Sequence, residues 1–462
     1  MIKDFVTKED LSLFTSGSRF SITSIFLKEK MNDMVATFDL FIRELPESRN
    51  YFVFAGLEHV VDYLKNLKFT SKQLRWLKKH FKLSSKEIKY FKNFRFKGDM
   101  YAMPEGSIFF PNEPIIKITA PINEAQMAEM FLINAIYLQT ALASKLARFA
   151  IAANGKPTVT GYSRSYGVDA AMKSSRINEM LGISHGLSLY NFKNNMTAFS
   201  AGTYHYFINS FANETEAFKT YFKHMKGEGY ILIDTYDSIR GIKNFIKVAK
   251  EMEKIGIRAN GMQLDSGDLY KLSVAARKML DRAELNYIKI FAMSNLDERK
   301  VAALEKKHAP IDVYAGTTEL LTPSDAPTLE LVFKLSEIKR DGKIFPKMKT
   351  STKKISLPGN KQIFRKMKKG KYVGDIIGIE GEKQTGKKML IPIIKKGKLV
   401  YKLPNIEKIK KHFYAEKEKF NPGMFNVNKK FSYSVVISEN LQKLTKKTRK
   451  EIERTHNLKN KI

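Results

Sequence analysis

Two carboxylates three residues apart, with a small turn between them, stand at Asp265-Ser266-Gly267-Asp268. They can hold ribose hydroxyls or the water shell of a Mg²⁺ ion. The same tetrapeptide also suits the N-cap of a following helix. Ala315-Gly316-Thr317-Thr318 offers a close-approach glycine and two hydroxyls. Backbone N–H groups in such a segment can cradle a phosphate, and the alternative is an ordinary strand-to-loop turn. Ser294-Asn295-Leu296-Asp297 and Asp234-Thr235-Tyr236-Asp237 add further hydroxyls, an amide and carboxylates. His205, in Gly202-Thr203-Tyr204-His205-Tyr206, is either a nucleophile or proton donor near neutral pH or a satisfied structural histidine. Arg164, in Tyr162-Ser163-Arg164-Ser165, can grip phosphate or carboxylate bidentately, or simply form a surface ion pair.

These residues need a scaffold that brings them together. Each of the four clusters directly follows a short apolar run, and the steps between them are 31, 29 and 21 residues, those of strand–helix units. From 158 to 337 the strand candidates are VTGYSR, TAFSAG, YILID, GMQLD, IKIFAMS, IDVYAGT and LELVFKL, separated by helix-like segments. That alternation predicts parallel βα units and an irregular TIM-like α/β barrel. Barrel chemistry collects where strands end and loops begin, so the clusters predict one mouth for a phosphorylated polyol. His205 would follow the strand candidate at 196–201.

Residues 1–67 begin with helix-like patterning and a short strand at 52–54, then a helix over 57–67 (LEHVVDYLKNL). Thr70 to Gln73 starts another helix with a capping-type sequence. Residues 94–119 alternate around Pro-Glu-Gly and Pro-Asn-Glu-Pro and predict β-hairpins. Residues 128–153 form a long apolar helix broken by Gln139, Thr140, Ser144, Lys145 and Arg148, which predicts a buried helix rather than a membrane span. Short β-runs with lysine turns follow Lys339, and an end helix starts near Ser438. The expected division is an N-terminal α/β sandwich over 1–150, a barrel over 151–338 and a small basic β-rich region over 339–462.

Composition sets bounds. The chain has 462 residues, 43% of them apolar and none of them cysteine. Disulfides, thiolate metal sites and a cysteine nucleophile are excluded. The first residues lack the apolar core of a signal peptide, so a cytoplasmic location is expected. The net charge of +34 is uneven: residues 339–462 hold 35 basic and 10 acidic side chains. Such a lysine excess is either an anion funnel or a solvated surface. No RNP-type or zinc-finger pattern accompanies it, so neither a nucleic-acid nor a membrane partner is expected.

The segments 52–58 (FVFAGLE), 99–114 (DMYAMPEGSIFFPNEP), 264–269 (LDSGDL), 294–298 (SNLDE), 357–362 (LPGNKQ) and 399–404 (LVYKLP) together resemble the nicotinate phosphoribosyltransferase family, in family order and spacing. The resemblance runs from about Phe5 to the end helix. It implies an N-terminal α/β sandwich, a type II phosphoribosyltransferase barrel, a small C-terminal domain and a homodimer. It also implies synthesis of nicotinate mononucleotide from nicotinate and phosphoribosyl pyrophosphate in NAD biosynthesis, with Mg²⁺ and with ATP as co-substrate. His205 matches the histidine that the family phosphorylates, in Gly-Thr-x-x-His, although here one residue fewer separates threonine and histidine. The implied catalytic set is His205, Asp265 and Asp268. The implied substrate-binding set is Thr203, Arg164, Gln263, Ser294, Asn295, Gly316, Thr317 and Thr318, with no dedicated metal ligand assigned. The sequence has Ser18 in place of an early stacking tyrosine, Ser163 in place of the first paired arginine, and Gln263 in place of the arginine before Leu-Asp-Ser-Gly-Asp. Each lost charge-assisted contact to a carboxylate costs about 1.5–3 kcal/mol. A nicotinamide-using relative and a non-catalytic binder of a phosphoribosyl ligand therefore stand as alternatives.

Overall fold

The computed structural model describes residues 6–197, 202–351 and 354–456. Its contacts divide the chain into two compact units: Met1–Ala141, Thr328–Met424 and Lys430–Ile462 in one, and Leu142–Pro327 with Phe425–Lys429 in the other.

The first unit is built on a seven-stranded antiparallel sheet. Its strand order is Lys343–Pro346, Leu331–Arg340, Val35–Ile42, Ile116–Pro121, Asp99–Ala102, Ile391–Lys395 and Lys398–Leu399. A second sheet runs Lys387–Lys388, Lys361–Lys368, Lys371–Ile379 and Val435–Ile437. The helices Leu57–Asn66 and Ser71–Phe81 form where their apolar spacing predicts, and Thr70 and Gln73 close the second with a capping box. One apolar core joins both ends of the sequence: Phe20, Leu64 and Leu132 pack with Phe333, Ile377 and Leu441.

Two expectations are corrected here. The run at 329–335 does not join the parallel sheet. It enters strand Leu331–Arg340, which pairs antiparallel with Val35–Ile42. Val35–Ile42 itself went unread, because it is buried on both faces over most of its length and so lacks the alternation that marks a half-exposed strand.

The second unit is a parallel half-barrel. Its strand order is Ser184–His185, Thr158–Thr160, Val313–Gly316, Lys289–Ala292, Gly261–Leu264 and Tyr230–Leu232, with every neighbour parallel. Val159, Phe291, Val313 and Ala315 pack together on the sheet. Helices Val168–Leu181, Ser238–Glu253, Leu269–Arg282 and Glu298–Lys306 follow four of the strands. The strand candidate at 197–202 falls largely outside the described residues. Its last residue, Gly202, makes a parallel bridge to Tyr230.

Helix Ile122–Ala152 is long and apolar enough to cross a membrane by length and composition, yet 67% of its most apolar window is buried in the fold. Lys145 and Arg148, in the part of the helix that belongs to the second unit, are buried too, and they clasp two acids of that same unit. Lys145 Nζ lies 2.7 Å from Glu298 Oε2 and 2.9 Å from Asp325 Oδ1, and Arg148 reaches both acids. Glu298 opens the helix behind the loop that carries Ser294 and Asn295. A buried charge costs several kcal/mol unless it is paired, and here each charge meets two opposite ones.

Candidate active site

Adjacent parallel strands bring equivalent positions side by side. Leu232 is in register with Gln263, so two residues further on Asp234 meets Asp265. Asp234 Oδ2 accepts the Asp265 N–H at 3.2 Å and the Ser266 hydroxyl at 2.6 Å. Its other oxygen, Oδ1, is buried with no hydrogen-bond partner among the described residues. Such an atom is costly to leave unmet, which makes it a ready acceptor for a ligand donor or an ion.

His205 opens the short helix His205–Asn209. Its Nδ1 lies 3.1 Å from Thr235 Oγ1, and its Nε2 lies 3.9 Å from Asp265 Oδ2. Burial pushes the Asp265 carboxyl above the ordinary carboxylate range, the charge of Asp234 adds to that, and His205 opposes it. A histidine and two carboxylates therefore stand close together at the C-terminal ends of the strands, Asp234 hydrogen-bonded to the Asp265 turn and His205 bonded to Thr235 with Asp265 3.9 Å away.

The second acid of each cluster does different work. Asp237, Asp268 and Asp297 cap the helices Ser238–Glu253, Leu269–Arg282 and Glu298–Lys306 by accepting backbone N–H groups. For Asp268, the Lys271 N–H above all holds the carboxyl below its usual range. Asp268 is thus placed by its cap, and among the described residues no hydrogen bond or ion pair ties it to His205.

Thr203 is buried, and its Oγ1 accepts the Leu232 N–H at 3.0 Å, pinning the approach to His205 against the edge strand. Gln263 is buried two residues before Asp265, with its Nε2 3.3 Å from Met293 Sδ. Ser294 holds φ at 127°, a conformation that L residues rarely adopt, and the Asn295 carbonyl accepts from Lys300 Nζ at 2.5 Å. Gly316 ends its strand where a Cβ would meet the Leu296 carbonyl oxygen at 2.8 Å and Leu320 Cδ1 at 2.6 Å. Thr317 and Thr318 follow it into the helix Thr318–Leu321. Arg164 is exposed in the loop after Thr158–Thr160.

Sequence reasoning noticed the cluster at Asp234 but left Asp234 out of the site, although it occupies the same place after its strand as Asp265. It also missed Gly161. That residue donates its N–H to the Gly316 carbonyl at 3.3 Å, and a Cβ there would meet Thr317 Cγ2 at 2.6 Å.

A parallel half-barrel with its polar mouth at the strand ends, in a chain that also carries an antiparallel sheet unit, defines a protein of the type II phosphoribosyltransferase class. Solved structures share this fold: human nicotinic acid phosphoribosyltransferase, with a TM-score of 0.81 at 21% identity over 94% of this chain and 99% of that one, and nicotinate-nucleotide pyrophosphorylase from Pyrococcus furiosus, with 0.71 at 20% over 91% and 99%. Residues 13–137 match the family model of the nicotinate phosphoribosyltransferase (NAPRTase) N-terminal domain, and residues 379–445 that of the C-terminal domain. The chain is 37% identical over 391 residues to a nicotinate phosphoribosyltransferase of Mycobacterium tuberculosis, covering 84% of this chain and 83% of the relative. It is 35% identical over 390 residues to that of Bacillus subtilis, covering 83% and 79%. The chain belongs to the nicotinate phosphoribosyltransferase family.

Proposed function

We propose that the chain joins nicotinate to the ribose of phosphoribosyl pyrophosphate, giving nicotinate mononucleotide for NAD biosynthesis, and that ATP hydrolysis drives the reaction through His205. The observation that carries this reading is the meeting of His205, Asp234 and Asp265 at neighbouring strand ends, in a chain of this family.

The pyridine nitrogen attacks the anomeric carbon as pyrophosphate leaves, and positive charge develops on the ribose. The protein's task is to position the reactants and stabilise that charge. Asp234 and Asp265 face the ribose, and Gly316, Thr317 and Thr318 take the 5′-phosphate. Arg164 takes phosphate or the nicotinate carboxylate, while Thr203, Gln263, Ser294 and Asn295 line the acceptor side. Asp268, whose Oδ1 caps the next helix, keeps its exposed second oxygen for a ribose hydroxyl.

Among the described residues no group of three His, Asp or Glu side chains stands close enough to hold a metal ion alone. Mg²⁺ suits the site nonetheless, because it is commonly held by one or two carboxylates together with substrate phosphates. The unpartnered Asp234 Oδ1 and the Asp265 carboxylate fit that role, and the ion supplies charge neutralisation at the pyrophosphate.

In the tautomer that carries its proton on Nδ1 and donates it to Thr235 Oγ1, the lone pair of His205 lies on Nε2, which takes the γ-phosphoryl group as ADP leaves. Radiolabelled ATP tests this step: acid-labile phosphate should appear on the native chain and not on His205→Ala. Equal ATP-stimulated turnover by that variant overturns the role.

A second reading, nicotinamide as the acceptor, rests on Gln263. Its buried neutral amide replaces a guanidinium and suits an uncharged carboxamide better than a carboxylate. The same family reading carries a homodimer and a cytoplasmic location, and sedimentation at micromolar concentration tests the first.

A further inference from the structure

A cleft of about 600 Å³ is lined by residues of the first unit alone, and none of the candidate active-site residues contributes to it. Its size falls within the range of about 300–1,000 Å³ typical of small-molecule sites. Six cationic side chains line it: Lys28, Lys30, Lys86, Lys89, Arg95 and Lys97.

Only Glu87 and Glu124 oppose them, and both carboxylates are occupied by the fold. Glu87 accepts the Ser84 N–H at 2.7 Å and the Ser84 hydroxyl at 2.6 Å, as well as the Ser24 hydroxyl. Glu124 accepts the Lys97 N–H at 2.6 Å. Lys28 Nζ lies 3.9 Å from Glu87 Oε1, and among the described residues Lys30, Lys86, Lys89, Arg95 and Lys97 form no ion pair, so six cations face two acids already engaged by the fold. Like charges around a concavity repel one another and focus a positive potential into it. The wall is not purely ionic. Half-buried Tyr90 presents its ring there, backed edge-to-face at 5.9 Å by Phe94, which is 3% exposed.

We propose that this cleft is a second ligand site that binds a small molecule bearing clustered phosphates and an aromatic base, of the nucleoside di- or triphosphate class. The lysines and Arg95 hold the phosphates, with Arg95 able to bind one bidentately, and the Tyr90 ring takes the base. The concavity favours a compact ligand over an extended strand of nucleic acid, which would track a groove.

Equilibrium dialysis and amide hydrogen exchange on the full chain test this, with ATP, tripolyphosphate and a single-stranded oligonucleotide as probes. His205→Ala serves as background, so that turnover does not consume the nucleotide. Lys86 and Lys89 are exposed on helix Ser85–Lys92, so a Lys86→Glu, Lys89→Glu double variant leaves the core intact. ATP should protect residues 84–97 from exchange, and the double variant should weaken that site about tenfold or more as its potential reverses. ATP should also bind it more tightly than tripolyphosphate. A melting temperature unchanged by the two substitutions would confirm that the loss is local. Absence of protection at 84–97, binding unaffected by charge reversal, equal affinity for ATP and tripolyphosphate, or protection by the oligonucleotide alone would each overturn the assignment.

Discussion

Asp234 Oδ2 accepts the backbone N–H of Asp265 at 3.2 Å, so the turn that carries one carboxylate is held by another. Two acids this close disfavour joint ionisation. The Asp265 carboxyl accordingly sits above its ordinary range, first through burial and then through Asp234. Asp265 must be ionised to stabilise positive charge on the ribose, so activity falls as the pH drops through its raised pKa. Asp234→Asn removes one of the two upward influences while keeping an oxygen for the turn. The acid limb of kcat/KM against pH should therefore move to lower pH. A limb that stays in place, or moves to higher pH, contradicts the link between the two residues.

Ser294 carries backbone strain at a strand end, with φ at 127°. A non-glycine residue in such a conformation costs about 1–3 kcal/mol, and strain of this kind persists where the surrounding structure enforces it. Ser294→Gly should raise the unfolding free energy by about 1 kcal/mol after the added freedom of the unfolded chain is counted. It should also raise the KM for phosphoribosyl pyrophosphate, since the hydroxyl is gone and the loop is freer. Thermal melts and steady-state kinetics read the two effects separately, and a destabilised variant would contradict the strain.

Glu298 is buried against Lys145 and Arg148 at the start of the helix behind the Ser294–Asn295 loop. Breaking a buried pair by removing one charge costs about 3–5 kcal/mol, because the partners stay buried without it. Glu298→Gln should lower stability by the smaller end of that range, as the amide keeps one acceptor. Denaturant unfolding measures it. A change below about 1 kcal/mol would show that Asp325 alone satisfies both cations.

Much of the site was legible because parallel strands repeat their geometry. Each apolar run ends in a polar cluster, and the register aligns successive clusters. Sequence alone could not say which acid in a cluster faces the mouth and which caps the next helix. That choice depends on helix phase: the first acids, Asp234 and Asp265, face each other, while Asp237, Asp268 and Asp297 turn back to cap. Strand Ser184–His185, which pairs beside Thr158–Thr160, escaped notice because two residues leave no periodic signal. Val35–Ile42 escaped for the opposite reason, since burial on both faces erases the period-two pattern. The role of Gly161 follows from the close approach of the Thr317 side chain across two strands, which spacing in a sequence does not encode.

A single turnover assay separates the proposed reaction from its rivals. The purified chain, supplied with phosphoribosyl pyrophosphate and Mg²⁺, is offered nicotinate, nicotinamide or quinolinate, each with and without ATP. Nicotinate mononucleotide is the expected product, formed faster with ATP than without. Nicotinamide mononucleotide in preference would move the specificity to the Gln263 reading, and no mononucleotide from any of the three would contradict the proposed activity.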